Sequence, residues 1–342
     1  MFSSRHILLF VVLAVLLFAT FVAQLFLGSV SVPAGEVIAI LSGKGKDEIL
    51  SRIVLENRLP GAVGALIAGS ALALSGLMMQ ILFRNPVAGP YVLGMSAGAN
   101  LGVALLLMGS SFFSFSGILS KFFYSEWGIA LAAAVGSSAV FLLVLLVAKR
   151  ITQSLSLLIV GLMLGSAISA VVELLQTFAG KDELKQFVLW TFASFRHLTP
   201  QQVWVMAICC GFGFALSIRM MKPLQALQGG ENFAQTVGID TRRAKQTIII
   251  ATGILAGTVT AFCGPVAFIG LAVPHLCRMI FKTANTVTLT FACVLLGAVV
   301  CGFCNVAASM PGSEYALPVN VITSILGAPF VVYIIIKQPK TV

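Results

Sequence analysis

The chain has 342 residues, 59% of them hydrophobic and 9% charged, with a mean hydropathy of +1.05. That composition excludes a water-soluble core of ordinary proportions and leaves lipid as the solvent. The net charge of +10 reflects membrane topology and contact with anionic lipid, and no nucleic-acid partner is expected.

A spanning helix needs about 20 apolar residues. The apolar runs allow about ten, at 7–27, 59–83, 93–109, 127–148, 154–178, 203–221, 246–263, 265–281, 287–306 and 319–336. The expected fold is all-α and integral to the membrane, one polytopic domain over 1–342 with no soluble domain attached. Arg5 and His6 precede the first span and no small-residue cleavage site follows it, the pattern of a retained helix rather than a signal peptide. Between the first two spans, the hydrophilic stretch 31–57 carries Lys44, Lys46, Asp47, Glu48, Arg52 and Glu56 around an apolar segment, Val37 to Leu41, which is suited to lie on the membrane surface. Gly264-Pro265 divides the seventh and eighth spans and must turn the chain sharply or break a helix in the interior.

With the N-terminus inside, that side carries Arg5, Arg84, Lys149, Arg150, Arg219, Lys222, Arg242, Arg243, Lys245, Arg278, Lys282, Lys337 and Lys340, thirteen of the 21 basic residues. Only Glu231 and Asp240 oppose them there. The bias places both termini in the cytoplasm of a multi-pass inner-membrane protein. Spans two and seven cross in opposite directions, which permits an inverted repeat of spans 2 to 5 and 7 to 10. The sequence echo is Asn85-Pro-Val-Ala-Gly89 against Gly264-Pro-Val-Ala-Phe268.

No catalytic centre is visible, and no cofactor or metal is expected. Gly43-Lys44 and Gly180-Lys181 lack the other residues of a phosphate loop, and His6, His197 and His275 match no metal-ligand spacing. All seven cysteines lie in or beside apolar spans, so the Cys301–Cys304 spacing reads as helix packing. If ATP powers this protein, another subunit hydrolyses it.

Three places carry candidate functional residues. From Gly230 to Gly238 the chain reads as a short helix, with Glu231 near its positive end and Gly238 suited to a left-handed C-terminus. Phe233, Ala234 and Val237 form one apolar face there, which either covers its own helices or plugs into a partner's cleft. Arg58 stands at the outer water boundary of the second span, as a carboxylate receptor or a phospholipid anchor. In the fifth span Gly165, Ser169, Glu173 and Gln176 fall within about 80° of arc. Glu173 there lines a pathway, snorkels to the interface or serves a structural pair. As the sole acidic residue within the spans, it also supports an alternative function as an ion-coupled secondary transporter.

Three ordered motifs carry a resemblance that covers nearly the whole chain: Arg58-Leu-Pro through Phe83-Arg-Asn-Pro-Val-Ala-Gly-Pro-Tyr-Val-Leu-Gly-Met-Ser-Ala-Gly98, then Gly264 to His275, then Leu317 to Phe330. The chain resembles the FecCD/BtuC-type permeases of ABC importers for iron siderophores, haem and cobalamin. The resemblance implies a second permease copy, two cytoplasmic ATP-binding subunits and an extracytoplasmic ligand-binding protein. Gly230, Glu231, Ala234 and Gly238 match that family's ATPase-coupling segment, although relatives often have Arg where Gln235 stands. Arg58 matches an arginine that receives a carboxylate of the binding protein, and the family's pathway is lined partly by the fifth span. Many relatives have a second Arg where this chain has Gly61, and Glu314 is the one charge between Thr283 and Ile336, so docking would draw on Arg58 plus Lys44, Lys46, Arg52 or Arg196.

Overall fold

The computed structural model describes residues 4–109, 125–148, 151, 154–309 and 317–337. Lys149, Arg150, Glu314 and Lys340 lie outside them. Regular structure among the described residues is helical: α1 (Ser4–Phe26), α2 (Ala34–Leu41), α3 (Glu48–Arg52), α4 (Leu59–Leu82), α5 (Met95–Met108), α6 (Glu126–Ala148), α7 (Ser154–Phe178), α8 (Lys181–Thr191), α9 (Pro200–Arg219), α10 (Met221–Gln228), α11 (Glu231–Thr236), α12 (Thr241–Cys263), α13 (Ile269–Phe281), α14 (Thr286–Ala308) and α15 (Val319–Lys337). Among the described residues, seven helices are long and apolar enough to cross a membrane, and α5, α13 and α15 are shorter apolar helices. Together they occupy all ten expected positions.

The loops differ more from expectation. A π-helical turn over Ile53–Arg58 joins α3 to α4, so Glu48–Leu82 runs as one helical stretch of 35 residues. The apolar segment before it is amphipathic: Val37 and Ile40 of α2 pack with Val32 and Val54, while Ile38 and Leu41 are exposed. An amphipathic helix absent from the sequence reading, α8, follows α7. The Gly180 N–H donates to Glu183 Oε2 (3.0 Å) at its start, and Phe187 anchors it in the core.

The helices group into two compact units. In the first, α1 to α3 and most of α4 join the start of α9 and α13 to α15. In the second, the end of α4 joins α5 to α8, the rest of α9 and α10 to α12. Each unit thus combines the leading helix of one expected quartet with the three trailing helices of the other, the membership expected when two equivalent quartets exchange their first helices.

Close helix approach replaces hydrophobic driving force in lipid. In the first unit α4 crosses α14 where Gly69 and Gly297 each face the other's carbonyl, and Cys301 packs beside Gly69. There α1 also lies against α14, with Asn305 Nδ2 donating to Gln24 Oε1 (2.8 Å). The second unit's core gathers Ala99, Val103 and Leu107 of α5 with Ala133, Val172, Phe187 and Ala261 from four other helices. Apolar side chains such as Leu8, Phe18 and Met163 remain exposed in the isolated chain, as lipid-facing positions do.

The Gly264-Pro265 break is a short irregular segment: α12 ends at Cys263 and α13 begins at Ile269, four residues later than expected. Asn320 Oδ1 accepts from the Ala267 N–H (2.8 Å), satisfying a backbone donor that lipid could not. The residue before α13, Phe268, is left-handed (φ 64°), as Gly94 (φ 72°) is before α5. Matching these two left-handed residues pairs Pro90 with Gly264, so the sequence echo is five residues out of register. The first quartet spends those extra residues on a tight turn in which Asn85 Oδ1 accepts from the Val87 N–H (3.0 Å).

Candidate functional site

On the expected outer side, Arg58 and Arg196 line one pocket of about 300 Å³ in the first unit, together with Asn57, His197, Gln24 and Asn305. Arg58 reaches back across the chain. Its Nη1 donates to the carbonyls of Leu25 (2.8 Å) and Phe26 (3.1 Å), the last of α1, and its Nη2 donates to the Val30 carbonyl. A cation at a helix C-terminus satisfies orphan carbonyls and the negative end of the macrodipole together. Gly28 leaves room for this, since a Cβ there would lie 2.8 Å from Arg58 Nη2. Arg196, in the segment that leads into α9, is half-buried; burial lowers its pKa from the usual arginine value, which still leaves it charged. Lys44, Lys46 and Arg52 are exposed and do not line the pocket, and Arg52 pairs with Glu48 (3.0 Å).

On the expected inner side, α11 is a six-residue helix held by glycine at both ends. Gly230 precedes it at φ 105° and Gly238 follows at φ 85°. The Ile239 N–H donates to Ala234 O (3.0 Å) and the Gly238 N–H to Gln235 O (2.9 Å), the bond pair of a left-handed glycine cap. Glu231 Oε1 meets Lys245 Nζ of α12 at 2.6 Å, an ion pair whose side chains are only 35% and 17% exposed. The apolar face divides, because a helix this short cannot both seal its own protein and present the same stripe. Ala234 is fully buried, while Phe233 and Val237, one turn apart, are 53% and 59% exposed. A pocket of about 350 Å³ opens beside it, lined by Arg84 and by Gly230 and Phe233.

In α7, Gly161 and Gly165 pack against the turn from Val92 to Gly94 that starts α5, and Val172 enters the core. The stripe of Gly165, Ser169, Glu173 and Gln176 therefore runs along the edge of the buried face, from half-buried Gly165 to exposed Glu173. The histidine and the cysteine pair set aside in the sequence lie within helices. His275 is partly buried in α13, and Cys301 and Cys304 are buried in α14. Among the described residues, no three His, Cys, Asp or Glu side chains are placed to hold a metal ion.

Two features were beyond the reach of sequence reasoning. Lys245 was visible only as one more inner basic residue, and its pairing with Glu231 needs the fold. Arg84 was assigned to topology, although it sits beside Gly230, whose Cβ, if present, would lie 3.5 Å from Arg84 Nη1.

Among the described residues, ten apolar helices, broken by glycine-bounded turns and satisfied through internal backbone contacts, define a multi-pass α-helical membrane protein. The chain belongs to the FecCD transport family, whose model matches residues 15–337, and it is an ABC importer permease. Among its relatives, the vitamin B12 import system permease protein BtuC of Salmonella paratyphi A is 32% identical over 296 residues, 84% of this chain and 84% of the relative. The BtuC protein of Salmonella typhi is 33% identical over the same share. A solved inward-facing structure assigned to the metal-chelate type of ABC transporter superposes with a TM-score of 0.81 and 26% identity, covering 95% of this chain and 98% of that one. Membership implies ATPase partners and a dimer.

Proposed function

We propose that this chain is the transmembrane permease subunit of an ATP-driven importer that carries a metal chelate, a ferric siderophore, haem or cobalamin, across the bacterial cytoplasmic membrane. All of residues 1–342 act as one permease domain with both termini in the cytoplasm. Two copies enclose the path, two ATPase subunits engage α11, and an extracytoplasmic binding protein delivers ligand to the pocket around Arg58 and Arg196.

The observation that carries the reading is α11. Its glycine caps and the Glu231–Lys245 ion pair fix a rigid peg, and Phe233 and Val237 project from it toward whatever lies outside. Rigidity matters because a coupling element must transmit a partner's movement without yielding. ATP binding closes the ATPase pair, the pegs move with it, and the path changes the side to which it opens. Along that path, Gly165, Ser169, Glu173 and Gln176 of α7 supply a small and polar edge, suited to many weak contacts with a bulky ligand. On the outer side, Arg196 offers a carboxylate of the binding protein the geometry of a guanidinium. Arg58 meets it in the same pocket while holding the end of α1.

The test is transport by the purified permease and its ATPase in proteoliposomes with the binding protein supplied, using labelled ferric siderophore, haem and cobalamin in turn. Accumulation of one of these on ATP addition supports the reading, and ATP-dependent uptake of none of them refutes the proposed ligand class.

A further inference from the structure

The pocket beside α11 lies between the inner end of α4 and the start of α11, and its only charged lining residues are Arg84 and Glu231. Glu231 is held by Lys245 at 2.6 Å. Arg84 is exposed at the end of α4, and no ion pair reaches it among the described residues. The field in the pocket is therefore set by an uncompensated guanidinium. Gly230 keeps the space open, because its φ of 105° disfavours any side chain there. Phe233 both lines the pocket and belongs to the exposed face it shares with Val237, so a partner seated on that face reaches the pocket mouth.

We propose that this pocket takes an acidic side chain of the ATPase subunit, with Arg84 as its counter-charge. The proposal rests on the reading of α11 as the ATPase contact and adds a chemical key to it. Phe233 and Val237 contribute apolar area that many partners would accept, whereas a carboxylate on a planar, five-donor guanidinium imposes register and selects the cognate subunit. It also ties the partner to α4 as well as to α11, so a movement of the ATPase is delivered to a membrane-crossing helix directly.

The experiment measures binding of the cognate ATPase subunit to the full-length permease in nanodiscs of neutral lipid and, separately, of lipid containing phosphatidylglycerol. Arg84→Gln is expected to weaken binding about tenfold and Arg84→Glu further, while Arg84→Lys, which keeps the charge and loses the fork, falls between Arg84→Gln and the parent. One Asp→Arg or Glu→Arg substitution on the ATPase surface should restore binding to the Arg84→Glu permease. Unchanged melting temperatures of the variants keep the comparison free of folding effects, and Arg84→Gln serves if Arg84→Glu does not fold. If Phe233→Ala weakens binding and Arg84→Glu does not, the pocket proposal is wrong and the α11 reading stands. If neither weakens it, the α11 reading falls and takes the proposal with it. Failure of every charge reversal to restore binding overturns the proposal, as does an Arg84 effect confined to anionic nanodiscs, which would assign the pocket to a lipid headgroup.

Discussion

At the scale of single residues, Gly238 and Glu231 hold α11 in different ways and fail in different ways. A Cβ at Gly238 meets nothing within 4 Å, so Gly238→Ala adds only backbone strain at φ 85°, about 1–2 kcal/mol. The expected outcome is lost ATP-driven transport with the subunit still in the membrane, and partial recovery in Gly238→Asn, which tolerates the left-handed region. Uptake assays with membrane quantification read both. Glu231→Gln removes one end of a partly buried ion pair, so a loss of about 1 kcal/mol is expected, seen as a lowered melting temperature in detergent. A second substitution, Lys245→Met, should return part of that stability because it removes the mostly buried ammonium that the lost carboxylate faced. Transport should remain impaired, since the peg has lost its tie to α12.

Arg58 shows why a residue's role is harder to read than its place. Its position at the start of a span is plain in sequence, and so is its chemistry. Its three carbonyl acceptors lie about thirty residues away, and nothing local announces them. Arg58→Ala is expected to loosen the outer end of α1, costing about 1–2 kcal/mol because the guanidinium is half-exposed. Faster amide hydrogen exchange at Leu27 to Val30 would register it. Arg196→Ala, which leaves those carbonyls satisfied, should weaken binding-protein capture without that change.

At the scale of elements, glycine positions separate contacts that cannot yield from surfaces that can. On α4, Gly69 faces the Gly297 carbonyl of α14, and backbone meets backbone. A larger residue must push the helices apart, so Gly69→Leu should cost 3 kcal/mol or more, with ~3 kcal/mol the upper end of ordinary overpacking, and little folded protein should accumulate. Gly211 on α9 has open space around it, so Gly211→Ala should keep or slightly raise stability. Thermal unfolding of the two variants, followed by size-exclusion chromatography, checks the contrast.

The ten helices were legible because hydropathy over a 20-residue window reports the solvent directly. The left-handed cap at Gly238 was legible for a similar reason, since a glycine after a short polar helix has one common use. Contact partners were not. Ala234 turns inward while Phe233 and Val237 turn outward, which depends on how α11 seats on its own protein, and α8 was missed because its eleven residues, though amphipathic, are too short and too polar to register as a span. The internal echo was visible but misregistered, since Pro-Val-Ala recurs at the wrong turn in the first quartet while the shared left-handed residues, Gly94 and Phe268, have no sequence in common.

At the scale of the whole molecule, the central question is which energy source moves the ligand. Glu173, exposed on α7, is the one residue on which an ion-coupled mechanism would rest. The importer account predicts that Glu173→Gln leaves ATP-driven uptake within about twofold of the parent, because no proton or ion is carried by that group. The most direct measurement is uptake of labelled ferric siderophore, haem and cobalamin by cells with and without this gene, with ATP depleted in one arm and the proton gradient collapsed but ATP maintained in the other. The account predicts gene-dependent uptake of one chelate that stops when ATP is depleted and persists without the proton gradient. Gene-dependent uptake that survives ATP depletion and fails with the gradient would contradict it.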